Sequence, residues 1–177
     1  ETIKGCNKLN GIKIDSNNKH FIIRNKIVYD SQQKTILFYP RGINESYYSI
    51  EEGIENIGRY AFSGCGIETI VIPTSIKTIK ESAFYLSNRL KSVTIPKTVT
   101  TIEQHAFAFC ESLEEITILS ENIKINEKAF YGCNKLNNVM IFSSKIEVEN
   151  NIFEKCNELK QVYTLNELGS DIQFNNS

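Results

Sequence analysis

The sequence predicts an α/β, β-rich solenoid in which stacked copies of one short unit form a concave parallel sheet and short helical turns, with a β-hairpin inserted near the N-terminus. Three observations lead to this prediction: a phenylalanine recurs at a nearly constant interval, an aliphatic triplet follows each phenylalanine, and the triplet residues alternate with polar residues. Successive steps of 22, 23, 23 and 23 residues separate the anchors Phe62, Phe84, Phe107, Phe130 and Phe153.

The residues around each anchor repeat as well. Alanine precedes the first four phenylalanines, and Ile152 precedes the fifth. A small residue follows each anchor after three positions; these residues are Cys65, Ser87, Cys110, Cys133 and Cys156. An isolated unit of this length cannot bury both its ring and the apolar face of its strand, whereas stacked copies can. We therefore expect each ring to rest on the ring of the next copy.

The segment LKSVTIP, residues 90–96, illustrates the strand of one unit. Val93 and Ile95 alternate with Ser92 and Thr94. A period of two with β-branched residues indicates a short strand with one buried face. Since such strands recur once per unit and run in the same direction, they predict a parallel sheet along one side of the solenoid.

Two further signals complete the unit. Pro73 and Pro96 close two of the strands, because proline cannot donate to a continuing hydrogen-bond ladder. Between the strand and the next anchor, the segment IKESAF at residues 79–84 predicts one turn of helix that ends on an inward-facing Phe84.

The chain is predicted to be a single domain with four segments. Residues 1–14 are a partial repeat, 15–47 an inserted hairpin, 48–164 the repeats, and 165–177 a cap or a tail. In the partial repeat, Ile3 takes the anchor position and is followed by Cys6, Leu9, Ile12 and Ile14. Because the chain opens partway through a unit and without Met, we expect it to be a fragment of a longer protein.

The inserted segment is predicted to form a hairpin. Residues 27–29 and 35–39 are rich in β-branched and aromatic residues, and the polar residues 30–34 between them form the turn. Its aromatic side chains either pack against the edge of the solenoid, the favoured interpretation, or form a binding surface; these are Tyr29, Phe38 and Tyr39, with Tyr47 and Tyr48 just after them.

The composition excludes several classes of protein. The 20 Lys and Arg residues balance 21 Asp and Glu residues, for a net charge of −1. The chain therefore lacks the basic character that nucleic-acid binding requires. No run approaches the roughly 18 consecutive apolar residues of a membrane-spanning helix.

The repeat resembles that of a known family. The pattern C-x-x-L-x-x-V-x-I-P-x-x-V-x-x-I-x-x-x-A-F fits residues 89–107, RLKSVTIPKTVTTIEQHAF, almost position for position, and five consecutive matches cover residues 48–164. On these residues the chain resembles the BspA-like leucine-rich repeat family. The resemblance implies a leucine-rich-repeat solenoid, a cell-surface or secreted location, and an adhesin-like role in binding host or matrix proteins. A rigid curved sheet that presents side chains at fixed spacing suits glycan recognition as well as protein recognition. The resemblance implies no catalysis.

The cysteines do not have the spacing of a metal site. The chain contains no C-x-x-C pair, and Cys110, Cys133 and Cys156 are one unit apart. This register stacks them inside the solenoid, where we expect free thiols that act as small apolar side chains. A disulfide stays open as an alternative, because neighbouring strands are roughly 4.8 Å apart, although side chains that point the same way make poor bridge geometry.

No catalytic constellation is apparent, and we predict neither an enzyme nor a cofactor. His20 and His105 are the only histidines, and the sequence has no glycine-rich phosphate loop. Acidic pairs such as Glu51–Glu52 are scattered, whereas a glycosidase needs two carboxylates that converge on one cleft.

The positions that the core does not use predict a binding surface. On each strand two residues point outward, and the N-terminal strands carry mainly Thr69, Val71 and Ser92 there. The candidate binding residues on the other strands are Thr94, Glu115, Thr117, Asn138, Met140, Gln161 and Tyr163. Leu119, Phe142 and Leu165 replace the strand-closing proline towards the C-terminus.

Two interpretations of these large apolar residues remain open. They either contact a protein partner or are covered by the next repeat or the tail, and the second is favoured. The corresponding functions are a protein-binding module of an adhesin-like surface protein and a structural spacer or stalk of a larger one.

Overall fold

A computed structural model describes Cys6 and residues 8–164. The described residues form fourteen strands and no helix. The strands are β1 Phe21–Arg24, β2 Ile27–Asp30, β3 Thr35–Phe38, β4 Tyr47–Ser49, β5 Asn56–Ile57, β6 Thr69–Val71, β7 Thr78–Ile79, β8 Ser92–Ile95, β9 Thr101–Ile102, β10 Glu115–Ile118, β11 Asn122–Ile125, β12 Asn138–Ile141, β13 Lys145–Val148 and β14 Val162–Thr164. Ile3, Leu165 and the predicted cap or tail lie outside the described residues.

The predicted parallel sheet is confirmed. Six strands follow the order β14-β12-β10-β8-β6-β4, and every neighbouring pair is parallel. The register is constant from unit to unit, so that Ile116 lies opposite both Val93 and Val139. These three side chains are buried, which gives the sheet the apolar inner face that the alternation predicted.

A second sheet runs along the solenoid and was not predicted. It has eight strands in the order β1-β2-β3-β5-β7-β9-β11-β13. From β3 onward the neighbours are parallel, and the two-residue strands bury Ile57, Ile79 and Ile102 completely. Each repeat therefore contributes one strand to each of two sheets, and the core lies between the sheets.

The predicted hairpin forms, and it is integrated into this second sheet. Strands β2 and β3 are antiparallel, and β1 adds a third antiparallel strand on the far side of β2. On its other side β3 pairs in parallel with β5, with Ile36 opposite Ile57. The hairpin thus continues the sheet at its N-terminal end.

The prediction of short helical turns is wrong. In residues 79–84 the amide of Ala83 donates to Lys80 O at 3.1 Å within the same turn, but the amides of Ser82 and Phe84 donate to Gln104 O and Ala106 O of the next unit. In an α-helix the amide of Phe84 would instead donate to Lys80 O, four residues earlier in the same segment. Amides that donate within the repeat thus alternate with amides that donate to the next repeat. Residues with a left-handed backbone, two positions before and two after each anchor, produce this alternation; they are Tyr60, Gly64, Ser82, Leu86, His105, Phe109, Lys128, Gly132, Asn151 and Lys155.

The anchor rings form a continuous stack, as expected. Neighbouring ring centroids are 5.1, 4.9, 5.3 and 5.5 Å apart from Phe62 to Phe153, with interplanar angles of 9, 4, 10 and 20°. All five side chains are at least 98% buried. Burial of each ring contributes roughly 1.5–3 kcal/mol to folding.

The stacked cysteines are buried free thiols, as predicted. Cys110 Sγ donates to Phe84 O at 3.1 Å, and Cys133 and Cys156 make the same bond to the anchor carbonyl of the preceding unit. Ser87 takes the equivalent position and donates to Phe62 O at 2.8 Å. Cys6 differs, because it is exposed.

Candidate functional site

The outward face of the six-stranded sheet contains the predicted binding residues in two rows. Glu115 lies between Ser92 and Asn138 in one row. Thr94, Thr117, Met140 and Tyr163 follow one another in the second row. Gln161 is exposed and directly precedes β14. The fold therefore brings all seven predicted residues to one face.

The C-terminal half of this face carries a cluster that we call the apolar patch: Leu119, Met140, Phe142 and Tyr163. Leu119 and Phe142 directly follow β10 and β12, and by strand alternation they extend the outward face. Leu119 is 42% exposed, Phe142 41% and Tyr163 54%, whereas Met140 is half-buried. Within the described residues no segment buries the three exposed members.

Leu119 and Phe142 are exposed because the turn at the corner after the strand of the six-stranded sheet differs between the earlier and the later repeats. In the earlier repeats Pro73 and Pro96 occupy this position and are buried. In the later ones a buried serine follows instead: Ser120 Oγ donates to Asn122 O at 3.0 Å, and Ser143 Oγ donates to Ser120 O. The serines close the corner from within, so the residue before each one points outward.

The same corner lengthens the second sheet. Strands β11 and β13 have four residues, whereas β5, β7 and β9 have two. In the sequence, this difference is visible at the end of the preceding strand, where Ile-Pro in the earlier repeats becomes Ile-Leu-Ser and Ile-Phe-Ser in the later ones. Sequence reasoning identified the lost proline but missed the buried serine that replaces its structural role.

The acidic side chains near the two halves of the six-stranded sheet have different partners. Near the N-terminal strands the carboxylate of Glu68 binds Lys91 Nζ at 2.8 Å and the Arg89 guanidinium. Hydrogen bonds to Lys91 and then Arg89 hold the pKa of Glu68 below its usual range. Close to the apolar patch, Glu115 is half-buried and accepts a hydrogen bond from Thr117 Oγ1 at 3.4 Å.

The hairpin aromatics mostly pack inward, in agreement with the favoured interpretation. Tyr29 and Tyr39 are each only 1% exposed. The hydroxyls of Tyr29 and Tyr48 are 3.5 Å apart, and Tyr48 is half-buried. Tyr47 is the exception, since it is 56% exposed at the N-terminal edge of the six-stranded sheet.

The described residues bring together no three His, Cys, Asp or Glu side chains that could bind a metal ion. The histidines are in different surroundings: His20 is exposed beside Phe21, and His105 is half-buried in one of the tight turns. The described part of the chain has no helix that could cross a membrane.

Solved structures share this fold. A leucine-rich repeat protein from Eubacterium ventriosum is 23% identical with a TM-score of 0.74, and the match covers 89% of this chain and 43% of that one. A T. pallidum leucine-rich repeat protein is 21% identical with a TM-score of 0.66, covering 84% and 71%. A leucine-rich cell surface protein from Faecalibacterium prausnitzii is 24% identical with a TM-score of 0.52, covering 76% and 41%.

At these identities the similarity establishes the fold alone, and the chain spans less than half the length of the Eubacterium and Faecalibacterium proteins. No curated protein matches the sequence. The model of the BspA type leucine-rich repeat region matches residues 36–160 in six copies. With most of its length inside that match, the chain belongs to the BspA type leucine-rich repeat family.

Proposed function

We propose that the chain is a non-catalytic protein-binding module of a cell-surface or secreted protein, and that a host or matrix protein binds the outward face of the six-stranded sheet. The family membership supports a role in protein interaction. The similarity to the Faecalibacterium protein, which is described as a cell surface protein, supports the location.

The apolar patch is the single observation that carries this proposal. Protein interfaces have an apolar centre, enriched in aromatic residues and Met, and a polar rim. Phe142, Met140 and Tyr163 supply such a centre. The predicted polar residues border it on the N-terminal side and along the neighbouring row; they are Thr94, Glu115, Thr117, Asn138 and Gln161.

The scaffold suits this role because the face is held rigidly. Each outward residue is fixed by a strand that pairs on both sides, except at the sheet edges. Beneath the sheet the anchor rings of neighbouring repeats are closely stacked, with centroids 4.9 and 5.3 Å apart, which holds the repeats in register. A preorganised face loses less entropy on binding.

The test combines capture with a matched pair of variants. The chain is immobilised, exposed to extracellular matrix and serum proteins, and the retained protein is identified and titrated. The double variant Phe142→Ser with Tyr163→Ser should reduce its affinity at least about tenfold, as expected for loss of central aromatic residues.

Tyr47→Ser is the control, because Tyr47 is equally exposed on the opposite edge of the same sheet. It should leave the affinity unchanged, and thermal unfolding should show that all variants fold. If the double variant and the control retain the same amount of partner, the sheet face is not the contact surface and the alternative of a structural spacer or stalk is supported.

A further inference from the structure

The edge of the solenoid that contains the tight turns carries a second aromatic row, separate from the buried anchors. Tyr60, Tyr85, Phe109 and Tyr131 come from four successive repeats. Their ring centroids are 6.5, 5.6 and 5.1 Å apart, and each ring is nearly perpendicular to the next, at 86, 88 and 77°. All four side chains are half-buried, so each ring keeps a surface in contact with solvent.

These rings form one wall of a groove of about 440 Å³. The remaining lining residues are polar: Glu81, Ser82, His105, Lys128 and Glu154. Ser82, His105 and Lys128 occupy the same position in three successive repeats, two residues before the anchor, with φ of 54, 55 and 55°. The groove therefore runs along the solenoid axis and crosses the repeats, a length of about 14 Å at the spacing of parallel strands.

The centre of the groove offers hydrogen-bonding groups that the described residues do not use. Ser82 is only 3% exposed and lines the groove, yet no described residue is a hydrogen-bond partner of its hydroxyl. The imidazole of His105 likewise has no partner among the described residues. The Ser82 hydroxyl is not one of the fully buried polar atoms, so it still reaches solvent, and a ligand hydroxyl would replace water as its partner.

Two of the charged residues that line the groove form ion pairs with residues that do not line it. Glu81 binds the Arg59 guanidinium at 2.7 Å, and Lys128 Nζ lies 3.2 Å from Glu127. None of the described ion pairs includes Glu154, so the lining keeps one negative charge, which disfavours a phosphorylated or nucleic-acid ligand. It offers hydroxyls and an imidazole, which donate and accept, and the carboxylate of Glu154, which accepts.

The backbone of this edge cannot take up an extended peptide as an added strand. The amides of Tyr60, Ser82 and His105 already donate to Glu81 O, Gln104 O and Glu127 O of the next repeat, at 3.3, 3.0 and 3.4 Å. Peptides that bind by strand addition depend on free backbone groups. A ligand of this groove is therefore recognised through its contacts with side chains.

We propose that the groove binds a linear carbohydrate chain. A pyranose ring has an apolar C–H face, which suits the electron-rich faces of Tyr85 and Phe109, whereas Lys155 Nζ already lies over the ring of Tyr131 at 5.0 Å. Its hydroxyls both donate and accept, as do Ser82 and His105. An open groove that crosses several repeats fits successive sugar units of one chain. This site is separate from the sheet face proposed to bind protein.

The test uses three linear tetrasaccharides: cellotetraose, maltotetraose and N-acetylchitotetraose. Binding of the chain is screened on an array, and the affinity is then measured by titration calorimetry. At least one should bind the folded chain. Ser82→Gly and His105→Gly remove the two side chains at a backbone conformation that glycine adopts without strain. Each should weaken binding about two- to tenfold, the effect of one lost hydrogen bond.

Asn151→Gly is the matched control, because Asn151 has the same position relative to its anchor and a φ of 58° but does not line the groove. It should bind the sugar normally, as should Phe142→Ser on the sheet face. The proposal is overturned if no tetrasaccharide binds, or if the two groove variants bind as well as the control. Peptides from a random array whose binding is lost in both groove variants would assign the groove to peptides instead.

Discussion

The ring of Tyr39 packs on the ring of Phe62, with centroids 5.1 Å apart and an interplanar angle of 30°. The amide of Tyr39 donates to Ala61 O at 2.7 Å, the same bond that the amide of Phe62 makes to Ala83 O at 2.8 Å. Tyr39 thus extends the anchor stack by one repeat. It differs from the other anchors by its hydroxyl, which is buried and has no hydrogen-bond partner among the described residues.

Replacement of Tyr39 by Phe should therefore raise the free energy of unfolding by about 1 kcal/mol, because the substitution removes a buried unsatisfied group and keeps the stacked ring. Urea unfolding measures the change. Tyr48→Phe is the control and should lower the free energy of unfolding, since Tyr48 shares a hydrogen bond with Tyr29. A loss of stability in Tyr39→Phe as well would mean that the Tyr39 hydroxyl has a partner.

Tyr39 also shows what the repeat pattern can and cannot reveal. The anchor stack was predictable because every copy needs the same large ring at the same position. Tyr39 lies 23 residues before Phe62, in register, but it is preceded by Phe38 rather than Ala, and the sequence pattern places it in the hairpin. The family match begins at residue 36 and includes it.

The turns and the second sheet were missed for a different reason. The left-handed positions before the anchors hold Tyr60, Ser82, His105, Lys128 and Asn151, of which only His and Asn are enriched in that conformation. Hydrogen bonds to the next repeat impose it, so no local pattern predicts it. Strands of two residues, such as β7, are too short to show a period.

For the candidate surface, alternation along each strand predicted which residues point outward. The exposure of Leu119 and Phe142 depends on the buried Ser120 and Ser143, which sequence alone does not identify as buried. The aromatic groove depends on residues at different offsets from the anchor, and only the fold brings them together.

The buried thiols should be unreactive in the folded protein. Burial raises the pKa of the thiols of Cys65, Cys110 and Cys133, so the reactive thiolate stays scarce at neutral and mildly alkaline pH. Titration with a disulfide reagent should modify one thiol, Cys6, before unfolding and all five afterwards. Cys6→Ser should abolish the native reaction. Rapid modification of a second thiol in the folded state would show that the stack opens.

The ion pairs of Glu55 should make stability depend on pH. Lys34 and Lys77 lie 2.8 and 2.9 Å from its carboxylate, and hydrogen bonds to Lys34 and then Lys77 lower its pKa to about 2. A lowered pKa means that the stabilisation is present above the usual value of 4.5 and is lost as the pH falls to about 2.

Glu55→Gln should therefore lower the urea midpoint at neutral pH, and the difference from the wild type should shrink over that acidic interval. Added salt should shrink it too, because the group is exposed. Glu158→Gln, an exposed glutamate outside the described ion pairs, serves as the control and should change little. A difference that persists at the acid end would exclude the ion pairs as its origin.

Gly132 should resist replacement because of both its backbone conformation and its close contact with Phe109. Its φ is 70°, and an added Cβ would lie 2.9 Å from Cδ1 of Phe109. Gly132→Ala should lower the free energy of unfolding by about 1–2 kcal/mol, since the left-handed conformation alone costs that much for a residue with a Cβ. Gly66→Ala is the control, because its Cβ would meet only Arg89 Nη1 at 3.9 Å. It should be neutral or slightly stabilising in the same urea unfolding experiment. Equal effects of the two substitutions would show that neither the conformation of Gly132 nor its contact with Phe109 constrains the turn.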